Sequence, residues 1–437
     1  MVSKPERLLR GKDVPLSASF LELFFDLAAV LALSQLAQHF LADLGLVGGL
    51  RTALLLAAVW WIWVTTTWLA DWYDPETPAI RGLLVGATLG SLLVGVAIPQ
   101  ALDGRGLLFA GAYVAVHLAR GVVTAHMLRG HPRQSRALRI LNWYAVSAVP
   151  WLVGAFLPEW RVPLWLLALA IDLIGPRLGW PTPWLGRARQ QELHLTGEHF
   201  AERYQQIMII ALGELVLVAG LTYSGTRLSL PETAAFLLVF ATAVLIGLLY
   251  VTPAGQRLGP AIERADPSRL GVTTSYLHLV MIAGVVATAV GAEVSIAHPT
   301  EIGHTTAVVV ILGGPTLFLV GRILFSVAVH RRLSWARVVG LFALVLAAVP
   351  LRLPLVAVSA VATGVLIVVA VLDQADIFTF RRPRPRWPDS GTALLPASPR
   401  SIRLAPPAGP PPTAAGPSPR AERRDWYDRP HQWWWLP

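Results

Sequence analysis

Apolar residues along this chain come in long blocks, separated by short segments rich in arginine, glycine and proline. No stretch shows the two-residue alternation of a half-buried strand, and the blocks are apolar on every helical face. A bilayer core roughly 30 Å thick needs about 20 such residues in helical form. The pattern therefore predicts an all-α, polytopic transmembrane helix bundle of about twelve spans. These fall at 18–41, 50–70, 80–101, 107–128, 137–157, 162–178, 200–222, 231–252, 270–292, 305–330, 335–351 and 354–379. The eleventh is short, and the sixth carries Asp172.

Loop charges test that count. Cytoplasmic loops of membrane proteins are enriched in lysine and arginine. With the N-terminus inside, 18 lysines and arginines fall in inside segments, among them Arg81, Arg133, Arg189, Arg264 and Arg332. The outside loops hold five: Arg51, Arg105, Arg161, Arg227 and Arg352. One helix more or fewer would scramble this alternation, so both termini are expected in the cytoplasm. The organisation that follows is a cytoplasmic N-terminus (1–17), a first six-helix half (18–178), a cytoplasmic linker (179–199), a second half (200–379) and a tail (380–437). The first span is read as retained, since no good signal cleavage site follows it. The tail, with 14 prolines and ten arginines after Phe380, is read as disordered. Trp433, Trp434 and Trp435 at its end could dip into the membrane interface.

Composition narrows the chemistry. Hydrophobic residues make up 54% of the chain and charged residues only 14%, too few to cover a soluble protein of this size. The net charge of +10 reflects topology signals and the tail, so nucleic acid is not expected as a partner; the lipid bilayer is. Without cysteine, disulfides, thiolate metal sites and cysteine catalysis are excluded. Lys4 and Lys12 are the only lysines and precede the first span, which excludes a P-loop and a retinal Schiff base. The histidines form no HExxH, so no metal or cofactor is expected. No nucleophile–base set is visible, and an enzyme is not expected.

The two halves echo each other. Phe20-x-Glu22-x-Phe24-x-Asp26 opens span 1, and Phe200-x-Glu202-x-Tyr204-x-Gln206 opens span 7. Arg120 and Arg129 match Arg322 and Arg331, Ala148-Val149-Pro150 matches Ala348-Val349-Pro350, and Asp172 matches Asp373. Four matches in order point to a parallel six-plus-six duplication, one of the known transporter plans.

Ionisable residues inside spans cost about 2.5–3.5 kcal/mol each on insertion scales, so each needs a partner or a use. Asp26 lies ~12 Å from the cytoplasmic end of its span at 1.5 Å per residue, and Arg120, Asp172, Arg322 and Asp373 lie at roughly 9–12 Å. Arg120 is expected to reach Asp26 or Asp172, and Arg322 to reach Asp373 or Glu202. These charges could equally pin helices together or serve transport. Glu22 closes a capping box with Ser19, which accounts for it without function; Asp26, one turn on, has no such account. In span 7, Glu198, Glu202 and Gln206 form one stripe, with Glu198 facing water, and His199 and Arg203 form another beside it. Glu214, deeper and flanked by apolar residues, is the foremost functional candidate. His117, His126 and His278 read as hydrogen-bonded bundle residues, Gln35, Gln38 and His39 as headgroup contacts, and Trp68 and Trp72 as part of an interfacial belt.

Three stretches now stand out together: Glu22-Leu-Phe-Phe-Asp26-Leu with Ser34-Gln35-Leu-Ala, Trp165-Leu-Leu-Ala-Leu-Ala-Ile-Asp172, and Glu202-Arg203-Tyr with Ile210-Ala-Leu-Gly213-Glu214. This resembles the bacterial low temperature requirement A (LtrA) family over most of residues 14–380. Many members carry serine after Gly-Glu, where this chain has Leu215. The resemblance implies a bacterial cell-membrane protein and singles out Glu22, Asp26, Asp172, Glu202, Arg203 and Glu214. The family's name refers to growth in the cold and implies no reaction. Phe24-Phe25-Asp26 is also faintly similar to the Phe-Ser-Asp helix of a two-repeat potassium channel family. The leading expectation is a secondary transporter of an unknown small solute or ion, proton-coupled through Asp26 or Glu214, with Glu202 and Glu22 as further path candidates. The alternatives are an ion channel lined by span 1 and its repeat, and a non-transporting membrane sensor or scaffold. The sequence leaves the substrate and the oligomeric state open.

Overall fold

A computed structural model describes residues 8–10, 17–188, 192, 196–251, 267–330, 333–348 and 352–380. The proline-rich tail, Lys4 and Lys12, linker residues 189–191 and 193–195, Arg331 and the Ala348-Val349-Pro350 echo beyond Ala348 lie outside the described residues. Among the described residues the chain forms twelve α-helices and no strands: α1 (Phe20–Ala42), α2 (Leu46–Trp72), α3 (Pro78–Ala97), α4 (Gly106–Met127), α5 (Gln134–Phe156), α6 (Arg161–Leu178), α7 (Gly197–Ser224), α8 (Leu230–Tyr250), α9 (Pro267–Ala297), α10 (Thr305–His330), α11 (Trp335–Ala347) and α12 (Leu355–Phe380). Each coincides with an expected span to within a few residues, except that α11 stops at Ala347. Its 13 residues reach only ~20 Å at 1.5 Å per residue.

Nine of these helices, among the described residues, are long and apolar enough to cross a membrane. The other three are α5, α6 and α11. Helix α5 opens with Arg136 and Arg139, and α6 carries Arg161, Asp172 and Arg177 within 18 residues. Large apolar side chains are exposed on the outer faces, including Phe20, Leu23, Phe24 and Leu27 on α1 and Ile367, Val368, Val371 and Leu372 on α12. Contiguous apolar faces of this extent suit lipid and not water.

Polar residues go inward. Helix α2 is the central post: Trp60, Trp61, Ile62, Trp63, Val64 and the threonines Thr65, Thr66 and Thr67 are all buried. The interfacial belt expected of Trp68 does not form, because its ring packs edge-on against Trp61, 5.6 Å between centroids, and is 3% exposed. Trp72 lies at the rim, where the Arg136 guanidinium sits 4.3 Å over its ring.

Close backbone approach holds α9 against α10. A Cβ on Gly284 would lie 2.4 Å from the Phe318 backbone nitrogen, and one on Gly314 would lie 2.4 Å from that of Thr288. Small residues permit such contacts between membrane helices.

Many helix neighbours recur between the two sets of six, although α12 also packs on α9 and α10, contacts without a counterpart of that extent at α6. Helix α1 packs on α3, α3 on α4, α4 on α5, α5 on α6 and α2 on α6; likewise α7 packs on α9, α9 on α10, α10 on α11, α11 on α12 and α8 on α12. The sets meet where α1 and α2 touch α7 and α9.

Candidate functional site

A dense cluster of buried polar residues lies at that meeting. Ser19 caps α1 and fixes its first turn: the Ser19 backbone N–H donates to Glu22 Oε2 at 2.8 Å, and the Glu22 N–H donates to Ser19 Oγ at 3.4 Å. This capping box uses one Glu22 oxygen. The other, Oε1, lies 2.9 Å from His199 Nε2 and 3.7 Å from Arg203 Nε. Four residues along α1, Asp26 takes the guanidinium fork of Arg203: Nη2 donates to Oδ1 at 2.7 Å and Nη1 to Oδ2 at 2.8 Å. The Trp63 indole N–H donates to the same Oδ1 at 2.9 Å.

Two stripes of spacing four thus face each other in register. Glu22 meets His199, and Asp26 meets Arg203. Since both numberings rise together, α1 and α7 run parallel, and Ser34 with Glu214 continues the series, its hydroxyl donating to Glu214 Oε1 at 2.5 Å. Helix α2 closes the cluster from the opposite direction. Asp71 Oδ1 lies 3.2 Å from His199 Nδ1, and the backbone N–H of Thr196, the residue that caps α7, donates to Asp71 Oδ2 at 2.9 Å. Glu22, Asp26, Asp71, His199 and Arg203 are each at most 4% exposed.

The chemistry follows from the imidazole. A neutral ring has one N–H donor and one lone pair, whereas imidazolium has two donors. Both ring nitrogens of His199 face carboxylate oxygens. With both acids ionised, a neutral ring would point its lone pair at one of them. Either His199 is charged or one carboxyl is protonated, so the Glu22–His199–Asp71 bridge holds one proton more than a neutral histidine between two carboxylates. Backbone donors at the starts of α1 and α7 face the two acids, as suits negative charge at helix N-termini.

A second polar station lies further along the same two helices. Glu214 is 4% exposed, and its Oε2 has no hydrogen-bond partner among the described residues. Beyond it the exposed Gln38 amide donates to Glu293 of α9 at 3.1 Å. Between the stations every residue of α1 from Leu27 to Leu33 is Leu, Ala or Val, and α7 from Ile207 to Gly213 is equally free of polar side chains. Asp26 and Ser34 are eight residues apart, so this collar spans ~12 Å.

The remaining sequence candidates sit apart. Glu202 is half-buried and accepts from the Gln206 amide at 3.0 Å and from the Ala18 N–H at 3.4 Å; Glu198 is exposed. The pairing expected of Arg120 goes elsewhere, because Asp26 is taken by Arg203, and Asp172 accepts from Tyr113 Oη at 2.8 Å and Trp151 Nε1 at 3.2 Å. Arg120 instead donates to Thr65 Oγ1 at 2.8 Å and reaches His117 Nδ1 at 2.5 Å. Asp373 is held by Arg337 Nε and Ser334 Oγ, both at 2.6 Å. Arg322, fully buried, donates to the carbonyls of Leu249 at 2.8 Å and Tyr250 at 3.2 Å, so the expected Arg322–Asp373 pair is replaced by Arg337–Asp373. His278 is a hydrogen-bonded bundle residue, within 3.1 Å of Tyr250 Oη and 2.9 Å of the Thr274 carbonyl.

Sequence reasoning missed Asp71 and Trp63. An acid inside Trp68-Leu-Ala-Asp71-Trp72, near the end of an otherwise apolar block, was the available signal.

Lipid-facing helices around a buried charge cluster define a polytopic membrane protein. The chain belongs to the bacterial low temperature requirement A protein (LtrA) family, whose profile matches residues 17–372. That range includes the cluster, the collar and Glu214. An uncharacterised protein of Rhizobium meliloti (strain 1021) is 35% identical over 378 residues, covering 84% of this chain and 91% of that relative. No solved structure matches.

Proposed function

We propose that this protein is a secondary transporter of the bacterial cytoplasmic membrane that couples a small solute or ion to proton movement. Its inner proton station is Glu22–His199–Asp71, backed by Asp26 and Arg203, and its outer station is Glu214 with Ser34. The observation that carries this reading is His199 with a carboxylate on each ring nitrogen: three groups share a proton at the meeting of the two helix sets. Transporter sites lie at such repeat interfaces. The apolar collar between the stations supports alternating access, since a proton cannot step across ~12 Å without rearrangement or water.

Twelve spans with both termini cytoplasmic belong to the same proposal. The loop charges, the parallel course of α1 and α7 and the recurrence of helix neighbours support them, and also support duplication of a six-helix unit. Reporter fusions at Arg133, Arg189, Arg264 and Arg332 should report the cytoplasm, and fusions at Arg161, Arg227 and His298 the outside. A reversed signal at any of them breaks the twelve-span reading.

The transport reading is tested in proteoliposomes carrying an internal pH dye, across a panel of cations and small organic solutes. Solute-dependent proton movement is expected, and Glu214→Gln should lose it while the protein still folds, because glutamine mimics the protonated acid. Current driven by voltage alone would identify a channel. Neither flux nor current would leave the cluster as a scaffold of buried ion pairs, and wild-type proton movement in Glu214→Gln would remove the outer station.

A further inference from the structure

A cavity between α2, α4 and α5 lies outside the proton stations, on another face of the same α2. It measures about 30 Å³, and its lining includes Thr65, Trp72, Arg120, Thr124, Ile140 and Tyr144. A water needs about 10–15 Å³ measured this way, so there is room for two waters or one small ion. Arg120 is 8% exposed, and none of the ion pairs among the described residues includes it. Its polar contacts, Thr65 Oγ1, the Tyr144 hydroxyl and His117 Nδ1, are uncharged hydroxyls and a ring that can only accept from it as a neutral imidazole. Asp172, the acid whose charge reaches Arg120, is engaged by Tyr113 and Trp151, and neither it nor Tyr113 lines the cavity.

The rest of the wall suits an anion. The Trp72 indole nitrogen is buried with no acceptor among the described residues. The Thr65 hydroxyl has carbonyl acceptors at Trp61, 2.7 Å, and Ile62, 3.2 Å, so it can take the guanidinium or turn to a guest. Tyr144 lies under the guanidinium, 5.5 Å from its centre, and the Arg136 guanidinium covers the outer face of Trp72. The lining residues include no carboxylate. A buried cation, an unused indole donor and room for one small guest are complementary to negative charge and hostile to a cation.

We infer that this cavity is a binding site for a small monovalent anion, a halide or a one-carbon carboxylate, held by Arg120 and Trp72. Binding there adds a direct counter-charge to a guanidinium that forms no ion pair among the described residues. The inference does not require transport and can be read from the purified full-length protein.

Thermal unfolding is followed by tryptophan fluorescence in detergent, at constant ionic strength, as gluconate is exchanged for chloride, bromide or formate. Gluconate is too large for the cavity. The midpoint should rise and saturate with the small anions, and the anion with the lowest half-saturation separates a halide from a carboxylate guest. Ile140→Phe fills the cavity while residue 120 stays arginine and should abolish the saturable rise, as should Arg120→Gln. If Arg120→Gln does not fold, Ile140→Phe decides alone. Equal midpoints in all four salts, or a saturable rise that survives Ile140→Phe, would overturn the site.

Discussion

Arg203→Gln is expected to lower stability by about 3–5 kcal/mol, the range for breaking a buried ion pair from one side. The Arg203 side chain is 1% exposed and gives both terminal nitrogens to Asp26. Glutamine supplies one short amide in place of the fork and no charge. Asp26 would keep only the Trp63 indole, and Glu22 would lose the cation 3.7 Å from its Oε1. The loss should appear as a lower thermal midpoint in detergent. Asp26→Asn in the same chain should recover part of it, since the orphaned carboxylate is then gone, and that recovery measures the coupling of the pair. A double variant that loses the sum of both single losses would show the residues to be uncoupled. As a reference, Arg81→Gln breaks an exposed pair with Glu76, and exposed sites of this kind usually change stability by no more than about 0.5 kcal/mol.

How far the sequence could be read depends on which physical signal each feature leaves. Helix positions were legible because lipid demands twenty apolar residues in a row, and that demand overrides local propensity. The stripes Glu22/Asp26 and His199/Arg203 were legible for the same reason: against an apolar background every charge is visible. That they face each other was not. In a helix that is apolar all round, no amphipathic moment says which side meets which neighbour. Arg322 and Asp373 show the cost of that silence. They lie at similar depths, yet Asp373 is taken by Arg337, whose Nε lies 2.6 Å from its Oδ2. Trp68 shows it again, because a tryptophan near a span end suits the interface as well as it suits a buried place edge-on against Trp61.

Glu22 marks the sharpest revision. Its capping box is formed as Ser19-x-x-Glu22 predicts, but the box occupies a single oxygen and leaves the other against His199. A residue that satisfies a local rule completely can still carry a second role through its remaining lone pairs. Sequence rules cannot register that role, because it depends on α7 and not on α1.

His199→Gln should therefore separate structure from coupling. Glutamine can place its amide N–H on one acid and so keep one of the two contacts that His199 makes with Glu22 and Asp71. It cannot hold the shared proton, because an amide neither gains nor releases one near neutral pH. The Thr196 N–H still donates to Asp71 and the Ser19 N–H to Glu22, so both acids retain backbone partners and the helix ends remain capped. Arg203 keeps its fork on Asp26. The variant should accordingly fold and insert, with a thermal midpoint far closer to wild type than that of Arg203→Gln. Proton movement coupled to solute in proteoliposomes should nevertheless fall to the level of empty vesicles. Glu22→Gln should behave alike: its amide oxygen can still accept from Ser19, so the cap survives, while the acid that shares the proton is lost. Two folded variants with wild-type dependence on the pH gradient would remove the bridge from the mechanism and leave the cluster as the ion-paired joint between the two halves.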